Sequence, residues 1–120
     1  MAPFLGVPLL DRDHAALERM FADVKATPDE GLPALFAAIA RELSEHFARE
    51  EAAMTEARVP LLLPHLELHA QILREVEKMR DELASRGAEG ARELMGAILP
   101  QLIDDHIATA DSASAAFLRG

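Results

Sequence analysis

Residues 60–87 read PLLLPHLELHAQILREVEKMRDELASRG. Apolar or imidazole side chains recur there in steps of three and four, at Leu62, His65, His69, Ile72, Val76, Met79 and Leu83. That is the period of a helix with one inward stripe. The stretch is rich in Leu, Glu, Arg and Lys, all good helix formers, and Gly87 suits the turn that closes a helix. It predicts a helix from Pro60 or Pro64 to Arg86. Two histidines four apart on an apolar stripe are costly to bury unless something satisfies them.

The same periodicity repeats on both sides. Asp11 is read as the cap of a first helix running to about Ala26, with Leu10, His14, Leu17, Phe21 and Val24 inward. The segment TPDEGLP, residues 27–33, then breaks the chain. Thr27 and Glu30 have the spacing of a capping box, and Pro33 is the alternative first-turn residue. A second helix runs to about Ala57 with Leu32, Phe36, Ile39, Leu43, His46, Glu50, Ala53 and Ala57 inward, and RVP at 58–60 forms the next corner. A fourth, from about Glu89 to Leu118, carries Met95, Leu99, Leu102, His106, Thr109, Ala113 and Phe117. It is expected to bend at Pro100, whose ring crowds the carbonyl of Gly96. Strand signals are almost absent. Long amphipathic helices joined by short connections predict an all-α, antiparallel up-down-up-down four-helix bundle. The whole chain, 1–120, is read as one domain with a short N-terminal arm over about residues 1–10.

Composition narrows the function. Twelve basic and 21 acidic residues leave a net charge of −9, which opposes binding to phosphate backbones and anionic lipid. No nucleic acid and no membrane is expected as a partner. The absence of cysteine excludes disulfides, iron–sulfur clusters, thiolate zinc sites and cysteine nucleophiles, so any metal must be held by nitrogen and oxygen. The charge-free apolar stretches near Gly31–Ala40 and Leu94–Ile103 are about half the ~20 residues of a membrane span. MAPFLGVPLL has neither a basic region nor an obvious cleavage site. A cytoplasmic monomer is the expectation.

Every histidine of the chain falls on an inward stripe, and Glu50 shares its stripe with His46. His46 and Glu50, like His65 and His69, are four apart, so each pair stands one turn apart on one face and can share an ion. His106 and Asp111 are five apart, about 140° around a regular helix. The expectation there is a carboxylate extending sideways along a bundle wall. His14 adds a donor from the first helix. Five imidazoles and two carboxylates exceed one tetrahedral zinc and suit two five- or six-coordinate ions bridged by the carboxylates. Iron, manganese and zinc all accept such donors. Imidazole-rich ligation stabilises highly oxidised iron less than carboxylate-rich ligation, which favours an oxygen carrier over an oxidase. Other sites fail on inspection: Glu67 stands two residues after His65, so H-E-x-x-H is absent, and so are the Glu-x-x-His pairs of ferritin-like bundles. Met20, Met54, Met79 and Met95 read as core filler. Asp11, Asp13, Glu67, Asp104 and Asp105 read as solvated groups or as carboxylates that orient a ligand imidazole.

D-R-D-H ending at His14, H-F-A-R-E-E-A-A-M from His46, P-L-L-L-P-H-L-E-L-H from Pro60 and H-I-A-T-A-D from His106 together resemble the hemerythrins, in particular the single-domain bacterial ones. The likeness covers about Gly6 to Leu118. It implies a non-haem centre of two iron ions, bridged by an oxo or hydroxo group, that binds molecular oxygen reversibly for transport, storage or delivery, without catalytic turnover. Carried over by position, His14 and His46 would hold one iron, His65, His69 and His106 the other, and Glu50 and Asp111 would bridge them. Phe47, Met54, Leu102 and Ile107 would form an apolar wall around the site. The alternatives are a di-iron peroxidase or oxidase, an oxygen or redox sensor acting through a separate partner, and a non-iron dimetal site. Where the family commonly has Tyr, Trp and Tyr, this chain has Val59, Leu102 and Ser114, which implies a smaller-walled and more open pocket.

Overall fold

Proline opens the first helix. In the computed structural model, which describes residues 5–119, α1 spans Pro8–Ala22 with Pro8 in its first turn, where a missing N–H has no helical partner to lose. Asp11 is therefore not the cap. It lies inside the first turn and its carboxylate accepts the N–H groups of Leu5 (2.8 Å) and Gly6 (3.0 Å). The expected arm is shorter than read, and its residues 1–4 lie outside the described residues. The helix also stops earlier than Ala26. The Thr27 hydroxyl donates to the Asp23 carbonyl (2.7 Å) rather than capping the second helix. After a 3-10 turn at Asp29–Gly31, α2 spans Leu32–Glu56 with Pro33 in its first turn. Arg92 secures this connection by donating to the carbonyls of Val24 and Thr27, both at 2.7 Å.

The corner after α2 is a Schellman closure. Val59 N–H reaches the Met54 carbonyl (3.0 Å) and Arg58 N–H that of Thr55 (3.2 Å), while Val59 is buried. The closure puts Arg58 at φ +54°, a left-handed conformation that a Cβ disfavours by about 1–2 kcal/mol. Arg58→Gly is expected to raise the unfolding free energy by about 0.5–1 kcal/mol, part of the relief being lost to the freer unfolded chain. Urea denaturation of the two proteins measures it.

The next helical run, α3, spans Leu62–Glu93 and is interrupted at Gly87, where φ +75° and ψ −173° leave the helical region. A helix from Leu62 through Leu118 without a break would measure about 85 Å, whereas the longest dimension of the molecule is 44 Å. The chain folds back at Gly87, the residue read as the helix stop. The returning arm continues through a π turn at Leu94–Ile98, α4 at Leu99–His106, a second π turn at Ile107–Asp111 and α5 at Ser112–Leu118. Pro100 sits in the first turn of α4. The local strain anticipated there is taken up by the preceding π turn, which contains Gly96. All elements among the described residues are helical, and none of their helices is long and apolar enough to cross a membrane.

The second π turn corrects the inward face of the last arm. Thr109, Ala113 and Phe117, expected inside, are exposed, whereas Ile107, Asp111, Ser114 and Ala115 are buried. One extra residue in the turn rotates everything beyond His106 relative to a regular helix. Elsewhere the stripes are largely as read. On α2 the buried residues are apolar from Leu32 to Leu43 and then include His46 and Glu50; on α3 the order is reversed, with His65 and His69 before Ile72, Val76 and Met79. The two helices pack against each other, so their polar ends meet in one buried layer.

Candidate metal centre

All seven residues singled out by spacing come together and are buried: His14, His46, Glu50, His65, His69, His106 and Asp111. They form two groups, in each of which one donor atom per residue lies within 4.8 Å of the others. The larger holds Glu50, His65, His69, His106 and Asp111; the smaller holds His14, His46 and Asp111. Asp111 belongs to both. Glu50 gathers with the larger group only.

The contacts are those of lone pairs converging on common centres. Glu50 Oε1 lies 3.1 Å from His65 Nε2 and 2.9 Å from His69 Nε2. Asp111 Oδ1 lies 2.9 Å from both His65 Nε2 and His106 Nε2, and its Oδ2 lies 3.2 Å from His14 Nε2. Yet His14 Nε2, His69 Nε2, His106 Nε2, both Glu50 oxygens and Asp111 Oδ2 are buried without a hydrogen bond. Close approach without hydrogen-bond alignment would cost roughly 1–3 kcal/mol for each such atom. A cation between them removes that cost, and an all-nitrogen-and-oxygen donor set suits iron, manganese or zinc. The residues present therefore fit a metal site.

Asp111 owes its place to the π turn. Bonding of i to i+5 winds five residues into about one turn, and it carries the Asp111 carboxylate to 2.9 Å from the His106 imidazole. No sideways reach along the wall is needed, which corrects the expectation drawn from regular helical geometry.

The outer ring nitrogens are held from other helices. His46 Nδ1 donates to Asp13 Oδ2 (3.0 Å), and Asp13 also accepts from Arg49 Nε (2.9 Å). His69 Nδ1 donates to Glu51 Oε2 (2.7 Å), and His65 Nδ1 donates to the Ser114 hydroxyl (2.9 Å). Such bonds orient an imidazole so that Nε2 faces the metal. Asp13 is among the carboxylates read for this role; Glu51 and Ser114 are not, and no spacing along their own segments announces them. Ser114→Ala leaves His65 Nδ1 without its acceptor and is expected to weaken metal binding about tenfold, measurable by competition with a chromogenic chelator.

The two carboxylates of the cluster are held ionised by the imidazoles around them. Burial pushes the Asp111 carboxyl up, but the close imidazoles of His106, His14 and His65 outweigh it and hold the group far below the usual carboxylate range. Glu50 is likewise lowered, with burial outweighed by His65 and His69. Burial lowers His46 despite Asp13, keeping its ring neutral. His65 behaves oppositely: burial is outweighed by Asp111 and Glu50, which raise it to about 9. Asp13 is lowered because hydrogen bonds from Arg49 and His46 exceed the effect of burial.

The apolar surround is partly as expected. Phe47 stacks on His69 with ring centroids 3.9 Å apart and 10° between planes. It meets His106 edge-on at 5.9 Å. Met54 and Ile107 are buried, while Leu102 is only half buried.

A buried cage of imidazoles and carboxylates inside an all-helical protein defines a metal-binding protein. The hemerythrin HHE cation-binding domain matches residues 5–116, and the chain belongs to the hemerythrin family. Comparison with curated proteins and with solved structures returned no match.

Proposed function

We propose that the protein is a reversible oxygen carrier or store with a non-haem di-iron centre, set in an antiparallel up-down-up-down four-helix bundle, and that it works without catalytic turnover. His14 and His46 would hold one iron and His65, His69 and His106 the other; Asp111 and, as the resemblance implies, Glu50 would serve both. The observation that carries this reading is the unequal division of donors: five residues in one group, three in the other, with Asp111 common to both. The poorer set leaves room for an exogenous ligand. Two ferrous ions, when bound, supply the electrons that make oxygen binding possible and reversible.

The protein's own part is to shape the surroundings. A cavity of about 80 Å³ adjoins His14 and is lined by the apolar Leu17, Phe21, Pro100, Ile103 and Ile107 together with the acidic Glu18 and Asp104, which oppose the entry of anions. It suits a small neutral gas better than an ion that must shed water to enter. Asp13 keeps the His46 ring turned toward the centre, and Phe47 covers His69. Together they limit access of water and protons, which promote irreversible oxidation.

The test is a visible absorption spectrum of the diferrous protein exposed to air and returned to argon. A charge-transfer band that appears and then disappears is the expected result. A direct and permanent change to a ferric spectrum overturns the carrier reading, and failure to load iron overturns the centre itself. Glu50→Ala is expected to leave the site partly filled; two irons per chain in that variant would remove Glu50 from the shared set.

A further inference from the structure

Asp13 is all but buried, at 5% exposure, and its Oδ2 takes two donors. His46 Nδ1 reaches that oxygen at 3.0 Å and Arg49 Nε at 2.9 Å. His46 and Arg49 stand three apart on α2, hence on one face, and both cross to the same atom of α1. The other end of the guanidinium is tied as well, with Nη2 donating to Glu42 Oε1 (3.0 Å), two turns earlier on α2. Arg49 thus holds a carboxylate on each of the two helices. An exposed ion pair contributes little to any protein, but this one has a buried member. Without Arg49, the Asp13 charge would lie in the seam between α1 and α2 with an imidazole N–H as its remaining donor here. A buried carboxylate left without a compensating charge turns toward water or draws water in.

The two donor groups are anchored unequally. In the larger one, His69 Nδ1 and His65 Nδ1 are held by Glu51 and Ser114. In the smaller one, His14 Nδ1 is buried without a hydrogen bond. Among the described residues, the bond from His46 Nδ1 to Asp13 is therefore the one ring anchor of the smaller group. We infer that Arg49 is the positioning residue of that group: by gripping Asp13 Oδ2 it keeps the acceptor of the His46 ring in place, and so governs retention of the ion that His14, His46 and Asp111 would hold. Arg49 acts through Asp13 and His46 alone. The inference rests on the di-iron reading above. Because that reading needs both ions, Arg49 would set how long the protein stays competent to bind oxygen.

Two measurements on Arg49→Met, which keeps much of the side chain's bulk but removes its charge and donors, test this. In metal-free, isotope-labelled protein, the His46 Nδ1 proton is followed by NMR. Its exchange with water should be about tenfold faster in the variant. Arg49→Lys, which restores the charge with a single ammonium, should recover part of the difference. In anaerobic titration with ferrous ion, the weaker of two uptake steps, expected at the group with fewer donors, should lose about tenfold in affinity, while the stronger changes less than about twofold. Arg86→Met, which breaks an exposed pair with Glu82, should alter neither readout. Glu42→Gln frees only the outer end of the guanidinium; it should move both readouts in the same direction by about twofold, and it carries the test if Arg49→Met folds poorly. A His46 ring proton that exchanges at the wild-type rate in Arg49→Met, or an unchanged weaker step, overturns the inference. Equal weakening of both steps overturns it too, as the mark of general destabilisation. Uptake of fewer than two ions by the wild-type protein overturns the di-iron reading and the retention role with it, while ring-proton exchange still reports whether Arg49 holds His46.

Discussion

Asp111→Ala is expected to empty the centre, leaving well under one metal ion per chain by elemental analysis. Asp111 is the one residue common to both donor groups, and its two oxygens face different imidazoles, Oδ1 toward His65 and His106 and Oδ2 toward His14. On the two-ion reading, removing it would take a donor from each ion and the negative charge that both would share. The loss extends to the fold. In the metal-free protein three buried imidazoles lose their carboxylate partner, and breaking a buried ionic cluster on one side costs about 3–5 kcal/mol. Urea denaturation of chelated wild-type and variant proteins measures that separately from loading. Asp111→Asn keeps the shape and one carbonyl donor but not the charge, so it is expected to fall between the two. Full metal content in Asp111→Ala would rule out the shared role.

Loading the metal-free protein at pH 7 is expected to release a proton from His65, and the apparent affinity is expected to fall as the pH is lowered. With Asp111 and Glu50 beside it, the His65 ring is raised to about 9, so it is protonated at neutral pH. A metal ion needs the lone pair on Nε2 and must displace that proton. Titration of metal into weakly buffered protein with a pH indicator gives the count. The same groups set the stability of the chelated protein. The raised His65 contributes fully below its ordinary value of 6.5, and the contribution is lost as pH rises through about 9. The lowered Asp111 and Glu50 act in the opposite sense: their contribution is present above their ordinary values of 3.8 and 4.5 and is lost as pH falls through the depressed ones. Thermal midpoints of the chelated protein should therefore be highest between about pH 5 and 6.5. A midpoint that kept rising from pH 7 to 10 would contradict the ionisation assigned to His65.

Most of the helices and all seven candidate ligands are legible in the chain because both depend on local order. A period of three and four residues defines an inward face whatever it packs against, and a histidine on that face is anomalous in any helical core. Gly87 could be read as the stop because a positive φ is a property of one residue. Asp11 misled for a similarly local reason: Pro8 starts the helix a turn earlier, leaving Asp11 inside the first turn to bind the N–H groups ahead of it. Arg58 carried no sign of its left-handed conformation, since the closing bonds to Met54 and Thr55 impose it.

By itself the sequence determined an all-helical chain and singled out the seven residues that gather as a candidate nitrogen-and-oxygen metal site: His14, His46, Glu50, His65, His69, His106 and Asp111. Tertiary structure alone decided how the last arm meets that site. The π turn at Ile107–Asp111 turns Asp111 and Ser114 inward and Thr109, Ala113 and Phe117 outward, against the regular period. It is a choice between two local geometries of similar energy, settled by what lies opposite: the imidazoles of His14, His65 and His106 gather around Asp111, and Ser114 reaches His65. His14 and His65 stand on other helices, up to 97 residues away in the chain for His14 and Asp111. A period read along one helix holds no information about them.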